Sequence, residues 1–151
     1  MGLPFSEITV GLLREAGWTT NRDVPTTAHE QALKAGGYQV FPVVRDFLRQ
    51  FGGLQISRKF VWNRVPLVSK FHFDARIAVG AWSPEFIKSF ESSERGPLCV
   101  IGETEFGDSV LLMDEQGRLY SGTDEYLTLV GNSGYDAVEA LCTGRKYRKI
   151  P

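Results

Sequence analysis

The chain of 151 residues is poor in the side chains that build metal centres and disulfide frameworks, with two cysteines and two histidines. Small secreted domains that depend on disulfides are much richer in cysteine. Cys99 and Cys142 fall in a strand-like and a helix-like stretch, where a small buried thiol is the ordinary expectation. We therefore expect reduced thiols, with no metal and no cofactor.

Long apolar runs are also missing. No run approaches the roughly 20 residues that cross a bilayer, and the N-terminus lacks the basic region and apolar segment that direct export. Hydrophobic residues make up 42% of the chain and charged residues 23%, close to an average globular protein. We expect one cytoplasmic domain over residues 1–151, without membrane contact.

Helical patterns occupy the first third of the chain and two later stretches. The predicted helices run from Ser6 to Gly17, from a Thr-x-x-Glu capping box at 27–30 to 36–37, from Pro42 to 52–53, from Ser83, and from Ser133 to Gly144. The first would bury Ile8, Leu12, Leu13 and Ala16. The third has the clearest apolar stripe, formed by Val43, Val44, Phe47, Leu48 and Phe51.

Strand-like composition dominates the middle of the chain. The predicted strands are residues 54–61, 71–74, 98–105, 109–114 and 118–120. The unbroken apolar run at 110–113 indicates a central strand covered on both faces, and the short polar loop at 114–117 predicts a hairpin. Helices first, strands in the middle and one helix last predict an α+β fold, a central mainly antiparallel sheet with flanking helices.

Several motifs occur in an order that resembles the SUKH superfamily, and in particular its SUKH-3 group. Ala-Gly-Trp at 16–18 and Arg22 precede Phe-Leu-Arg-Gln-Phe-Gly-Gly-Leu at 47–54. The later motifs are Phe-Asp at 73–74, Ile-Gly-Glu at 101–103, an acidic hairpin at 114–120, Gly131, and the helix at 137–144. The resemblance covers roughly residues 11–144 and leaves 145–151 as a basic tail. Val100 departs from it, since a proline is expected before the Ile-Gly pair.

The resemblance implies a single SUKH-like domain that acts as an immunity protein. Such a protein binds a cognate bacterial toxin of a polymorphic toxin system and neutralises it by protein–protein interaction, without catalysis. Other branches, the Smi1/Knr4-like proteins, are regulatory protein-binding modules, which is the alternative function. Gene context separates the two, because a neighbouring gene with a secretion module and a variable C-terminal domain favours immunity.

Candidates for chemistry are few. In Phe-His-Phe-Asp, the strand alternation places His72 and Asp74 on one face, where they could orient an imidazole or hold a metal. No third ligand follows at a recognisable spacing, so a local structural contact is favoured over a metal site, and a small enzyme built on this pair is a third hypothesis. His29 is expected at the surface or its boundary. Cys142 lies among apolar neighbours that disfavour the thiolate a nucleophile needs.

Two further patterns have ordinary structural explanations. Glu103 and Glu105 share a strand face, and paired carboxylates can perform acid–base chemistry, but we expect them to supply surface charge. The Gly-Asn-Ser-Gly loop at 131–134 lacks the lysine of a phosphate-binding loop, so helix capping explains it. We expect no catalytic residues in this chain.

Charge is unevenly distributed although the net charge is −1. Residues 1–80 carry +4, residues 81–144 carry −9 and residues 145–151 carry +4. An acidic block attracts a cationic partner and speeds encounter with it, and a solvated face is the ordinary alternative. Toxins that act on nucleic acid, such as nucleases, present cations to phosphates. The candidate partner-binding residues are therefore Glu103, Glu105, Asp108, Asp124 and Glu125.

The basic tail at 145–151 has a composition that suits a nucleic-acid backbone, but it is too short to decide the matter. A basic end can instead offset the negative end of the last helix or pair with the acidic block. We do not expect direct nucleic-acid binding.

Overall fold

Residues 4–104, 108–124 and 126–149 are described by the computed structural model of the chain. In these ranges the helices are α1 (Glu7–Glu15), α2 (Thr27–Ala35), α3 (Pro42–Phe51), α4 (Ala75–Ala81), α5 (Pro84–Lys88) and α6 (Gly134–Thr143). The strands are β1 (Gln55–Trp62), β2 (Val65–His72), β3 (Cys99–Thr104), β4 (Ser109–Met113), β5 (Leu119–Gly122), β6 (Leu127–Gly131) and β7 (Arg148–Lys149).

The strands form one sheet in chain order, β1 to β7, and every neighbouring pair is antiparallel. Short connections favour this arrangement for β1–β2 and for β3 to β6, because antiparallel neighbours can be joined by tight turns, whereas helices lie between β2 and β3 and between β6 and β7. Helices α3 and α4 pack near β3, α6 packs on β6, and α1 contacts both α6 and β1. The predicted α+β fold is confirmed.

The core is centred on β4, whose five residues are all buried. The predicted central strand is therefore confirmed. The apolar stripe of α3 is confirmed as well, since Val44, Phe47, Leu48 and Phe51 are buried. Phe47 packs edge to face against Phe73, with ring centroids 5.1 Å apart, which connects this helix to the end of β2.

Helix α1 begins as predicted but buries a different set of side chains. Ser6 is the N-cap, and its hydroxyl accepts a hydrogen bond from the backbone N–H of Thr9 at 3.4 Å. Leu13 is buried as predicted, whereas Ile8 is 65% exposed and its predicted burial is wrong. Thr9 is buried in its place, because α1 presents the Thr9–Leu13 side towards α6.

The predicted capping box of α2 at residues 27–30 is wrong. The N-cap is Thr26, which makes no side-chain bond to the backbone of the helix. Its hydroxyl instead donates to the Glu30 carboxylate at 2.6 Å, and Arg45 from α3 donates to the same carboxylate at 2.9 Å. This contact links α2 to α3 rather than capping α2.

Four elements were not predicted: α4, β6, β7 and the first part of β2. The β1–β2 turn has positive φ at Asn63 and Arg64, 50° and 64°, as in the type I′ turns of hairpins. The turn residues are Asn-Arg and not the Asn-Gly or Asp-Gly typical of such turns, so the sequence did not predict this hairpin. In the described part of the chain, no helix is long and apolar enough to cross a membrane.

Candidate partner-binding surface

One end of the sheet carries two of the predicted partner-binding acids. Asp108 directly precedes β4, and Asp124 follows the end of β5. Because β4 and β5 pair antiparallel, the start of one lies beside the end of the other. Both side chains are exposed, so the fold brings two separate acids to one accessible edge.

Hydroxyl groups line the sheet beside these acids. Ser121 donates to Ser109 at 2.8 Å, Ser109 also forms a hydrogen bond with Thr104, and Thr128 donates to the carbonyl of Ser121 at 3.2 Å. An open groove of about 540 Å³ passes over them, with Lys146 from the tail on its border. These hydroxyls are bonded internally and, except for that of Thr104, belong to buried residues, so Asp108 and Lys146 supply exposed charge at the border of the groove.

Glu103 lies inside the protein, and its predicted surface role is wrong. The residue is 4% exposed. One carboxylate oxygen lies 2.9 Å from His72 Nε2, and the other accepts a hydrogen bond from Trp82 Nε1 at 2.9 Å. A buried carboxylate is costly unless it is hydrogen-bonded, and these contacts satisfy it. Glu105 and Glu125, the remaining candidates, lie outside the described residues.

His72 acts within this internal network. Its Nδ1 accepts a hydrogen bond from the backbone N–H of Asp74 at 3.0 Å. An accepting nitrogen carries no hydrogen, so Nε2 holds the ring proton and donates it to Glu103. The predicted local structural contact is confirmed.

Asp74 caps α4 rather than continuing the strand. Its carboxylate accepts from the backbone N–H of Arg76 at 3.0 Å and from the Arg76 guanidinium at 2.9 Å. Burial opposes ionisation of Asp74, but the hydrogen bonds from Arg76 outweigh it and hold the pKa of that carboxyl below its usual value. Both members of the His72–Asp74 pair are thus engaged in internal contacts, which weighs against an enzyme built on them.

His29 is buried, at 5% exposure, and its predicted surface position is wrong. The face of α2 that looked polar in sequence packs against α4. His29 Nδ1 lies 3.8 Å from the Asp74 carboxylate. Burial lowers the pKa of His29, and the negative charge of Asp74 opposes this only in part. His29 is therefore a neutral interior group near pH 7.

Both thiols are buried, as predicted. Burial raises the pKa of Cys99 and of Cys142 to about 12 in each case. Thiols of this kind are poor nucleophiles. In the described ranges, no group of three or more His, Cys, Asp or Glu side chains is placed to hold a metal ion.

The loop before α6 caps that helix, as predicted. The Ser133 hydroxyl accepts from the backbone N–H of Asp136 at 3.1 Å, and the Asp136 carboxylate accepts from the backbone N–H of Asn132 at 2.9 Å. Arg145, the first residue of the basic tail, donates to Asp136 at 2.8 Å. Of the explanations for the tail, pairing with the acidic block is therefore realised at Arg145.

An exposed apolar surface on the β1–β2 hairpin was missed by the sequence analysis. Val61 and Trp62 are 69% and 68% exposed, and Val65 is 52% exposed. The strand prediction ended at Val61 and resumed at Phe71. The valine and leucine content between residues 65 and 68 is the signal that was available.

Comparison with known protein families gives a match over nearly the whole chain. The family model described as SUKH-3 immunity protein matches residues 5–144 of the chain. Neither a curated protein nor a solved structure matches it.

Proposed function

Because the chain belongs to the SUKH-3 immunity protein family, we propose that it binds a cognate bacterial toxin and neutralises it by protein–protein interaction. The family match over nearly the whole chain is the observation that carries this proposal. The action is non-catalytic and takes place in the cytoplasm, where the toxin of a competing cell would be intercepted.

The acidic end of the sheet supports a more specific proposal, that the toxin acts on nucleic acid. Such a toxin must present cations to phosphates, and an inhibitor can occupy the same cations. Asp108 and Asp124 supply exposed negative charge beside the hydroxyl-lined groove, and Glu105 and Glu125 belong to the same segments of sequence. Charges of opposite sign speed association and select the partner.

Toxicity rescue tests the proposed function. A candidate toxin domain from a neighbouring gene is induced in a bacterial host with and without this protein, and a pull-down tests for a complex. We expect growth to be restored and a stable complex to form. A folded protein that neither binds nor rescues, opposite a toxin shown to be active, would contradict the immunity function and favour the regulatory-module alternative.

A further inference from the structure

The β1–β2 hairpin projects as an arm, defined as residues 57–68. In the described part of the chain, β2 pairs with β3 at Phe71 and His72, at the root of the hairpin. The two strands of the arm pair with each other over their whole length. Because β2 runs antiparallel to β3 and meets Thr104 at the end of that strand, the arm leaves the sheet at the end that holds Asp108.

Apolar side chains lie on both faces of the arm. Cross-strand partners share a face, so Phe60 with Leu67 and Trp62 with Val65 form one face. On the other face Val61 is paired with Pro66. Contiguous exposed apolar surface of this kind marks interaction sites in soluble proteins.

The arm also offers an open backbone edge. Strand β1 is the first in the sheet, so among the described residues one side of it has no neighbouring strand. Alternate residues of such a strand present backbone N–H and C=O groups that can pair with another chain. A partner segment that adds there gains backbone hydrogen bonds and contacts the apolar faces at the same time.

Charge selects among the partners that would fit this edge. The arm carries Arg58, Lys59 and Arg64 and no acidic residue, and Lys70 is the second residue after it. Pairing with the arm of a second copy would place cations against cations, whereas an acidic segment is complementary. Nucleic acid would leave the aliphatic side chains uncovered, and a bilayer would leave the backbone edge unsatisfied.

We infer that the β1 edge of the arm accepts an extended, acidic segment of a partner protein as an additional strand. The segment alternates acidic and apolar side chains, so that its apolar residues cover Phe60 and Trp62 and its carboxylates meet Lys59 and Arg64. The inference rests on the proposed function only in taking that partner to be the toxin. The toxin then contacts the arm and the Asp108 end of the sheet together.

A peptide titration tests the edge without the toxin. The probes are a short peptide of alternating valine and glutamate, the same peptide with lysine in place of glutamate, and the glutamate peptide N-methylated at every residue, which removes all of its backbone donors. Amide hydrogen exchange and chemical shifts are followed by NMR. We expect the glutamate peptide to slow amide hydrogen exchange along β1. The lysine peptide should bind at least about tenfold more weakly, and the N-methylated peptide should not bind.

Matched variants separate the arm from general surface effects. We expect Lys59→Glu with Arg64→Glu to reduce affinity for the glutamate peptide about tenfold, and Trp62→Ser to reduce it as well. The controls are Arg14→Glu with Lys34→Glu, and Ile77→Ser, all at exposed positions on helices. Every substitution is at an exposed position, and circular dichroism verifies that each variant is folded.

Equal binding of the glutamate and lysine peptides would overturn the inference. So would protection from amide exchange that lies away from β1, or no protection at all. A concentration-dependent dimer or a nucleic-acid complex that protects the arm would also overturn it. The two proposals can fail separately. Toxin rescue without peptide binding removes the arm and leaves immunity standing. Peptide binding without rescue supports the acceptor edge and contradicts the immunity function.

Discussion

Several buried polar side chains in this protein are held in short internal networks. Asp114 is fully buried, and its carboxylate accepts hydrogen bonds from Tyr120 OH at 2.9 Å and Arg118 Nε at 2.7 Å. Burial, together with the hydrogen bond to Asp114, raises the pKa of Tyr120 to about 12. Satisfied networks of this kind stabilise one arrangement of the β4–β5 turn. They explain why conspicuous charged residues need not be functional ones.

Thiol reactivity tests the residue-scale description of Cys99 and Cys142. Because burial raises the pKa of both thiols to about 12, we expect negligible reaction of the folded protein with a disulfide reagent at pH 8. Two thiols per chain should react after denaturation in guanidinium. Rapid modification of either cysteine in the native state would contradict this placement.

The pH dependence of stability tests the burial of His29. Its folded pKa lies below the unfolded value of about 6.5, so below that pH the unfolded chain binds more protons than the folded one. Stability therefore falls as pH drops from 7 towards 5, by no more than about 1.4 kcal/mol per pH unit for this one group. Asp74, with a lowered pKa, loses its contribution only at more acidic pH.

Urea unfolding of the wild type and of His29→Gln, measured from pH 7.5 to pH 5, provides the comparison. We expect a smaller loss of unfolding free energy in the variant across this range. An unchanged pH slope would show that His29 does not titrate in the way its burial requires.

At the scale of elements, close backbone contacts and caps set how strands and helices meet. Arg22, which follows the Ala-Gly-Trp motif, donates to the carbonyls of Gln50 at 2.7 Å and Gly52 at 2.9 Å. These carbonyls belong to the end of α3, where helix geometry leaves acceptors unpaired. Two separated motifs of the sequence therefore meet in one cap.

Gly102 lies where the register between β3 and β4 shifts. A Cβ at this position would lie 2.0 Å from the carbonyl oxygen of His72, which is backbone and cannot move aside. Gly102 is therefore required for β2 and β3 to approach each other. The Ile-Gly motif has a packing reason, separate from any role in binding.

We expect Gly102→Ala to lower the free energy of unfolding by about 3 kcal/mol, measured by chemical denaturation. Gly11→Ala is the matched control, since Gly11 lies in α1 with nothing within 4 Å of the added Cβ. Alanine is favoured over glycine in a helix by about 1 kcal/mol, so the control should be stabilised. If Gly102→Ala had the same free energy of unfolding as the wild type, the close approach of Gly102 to the His72 carbonyl would be disproved.

At the scale of the whole molecule, the acidic block does not form one continuous face. Glu103 and Asp114 are buried, and Asp136 is paired with Arg145. Asp108 and Asp124 supply accessible negative charge at the end of the sheet where β4 begins and β5 ends. The basic arm leaves the sheet at this same end. A partner that covers this end therefore meets both signs of charge.

Association kinetics with the toxin test the acidic end. We expect Asp108→Lys with Asp124→Lys to slow association about tenfold at low salt, to reduce its salt dependence, and to change dissociation less. Glu15→Lys with Asp23→Lys makes the same change in net charge at exposed positions elsewhere. Equal rates for the two double variants would remove the acidic-end mechanism while leaving the family role intact.

Local patterns in the sequence were sufficient for α3, α6, β4 and the β4–β5 hairpin, because periodicity, caps and turn residues act over a few neighbouring positions. The same holds for the buried thiols and for the family motifs. The sequence also identified Asp108 and Asp124 as acids near strand ends, but their position beside one another depends on the pairing of β4 with β5.

Tertiary structure alone decided which side chains are reachable. His29 and Glu103 are buried because α2 packs against α4, and because His72 and Trp82 converge on one carboxylate from separate elements. Ile8 and Trp62 are exposed because none of the described elements covers them. Burial is a property of how distant elements pack, and no local pattern contains it. The sequence by itself thus determined the family and most of the elements, and the packing determined the surface available for binding.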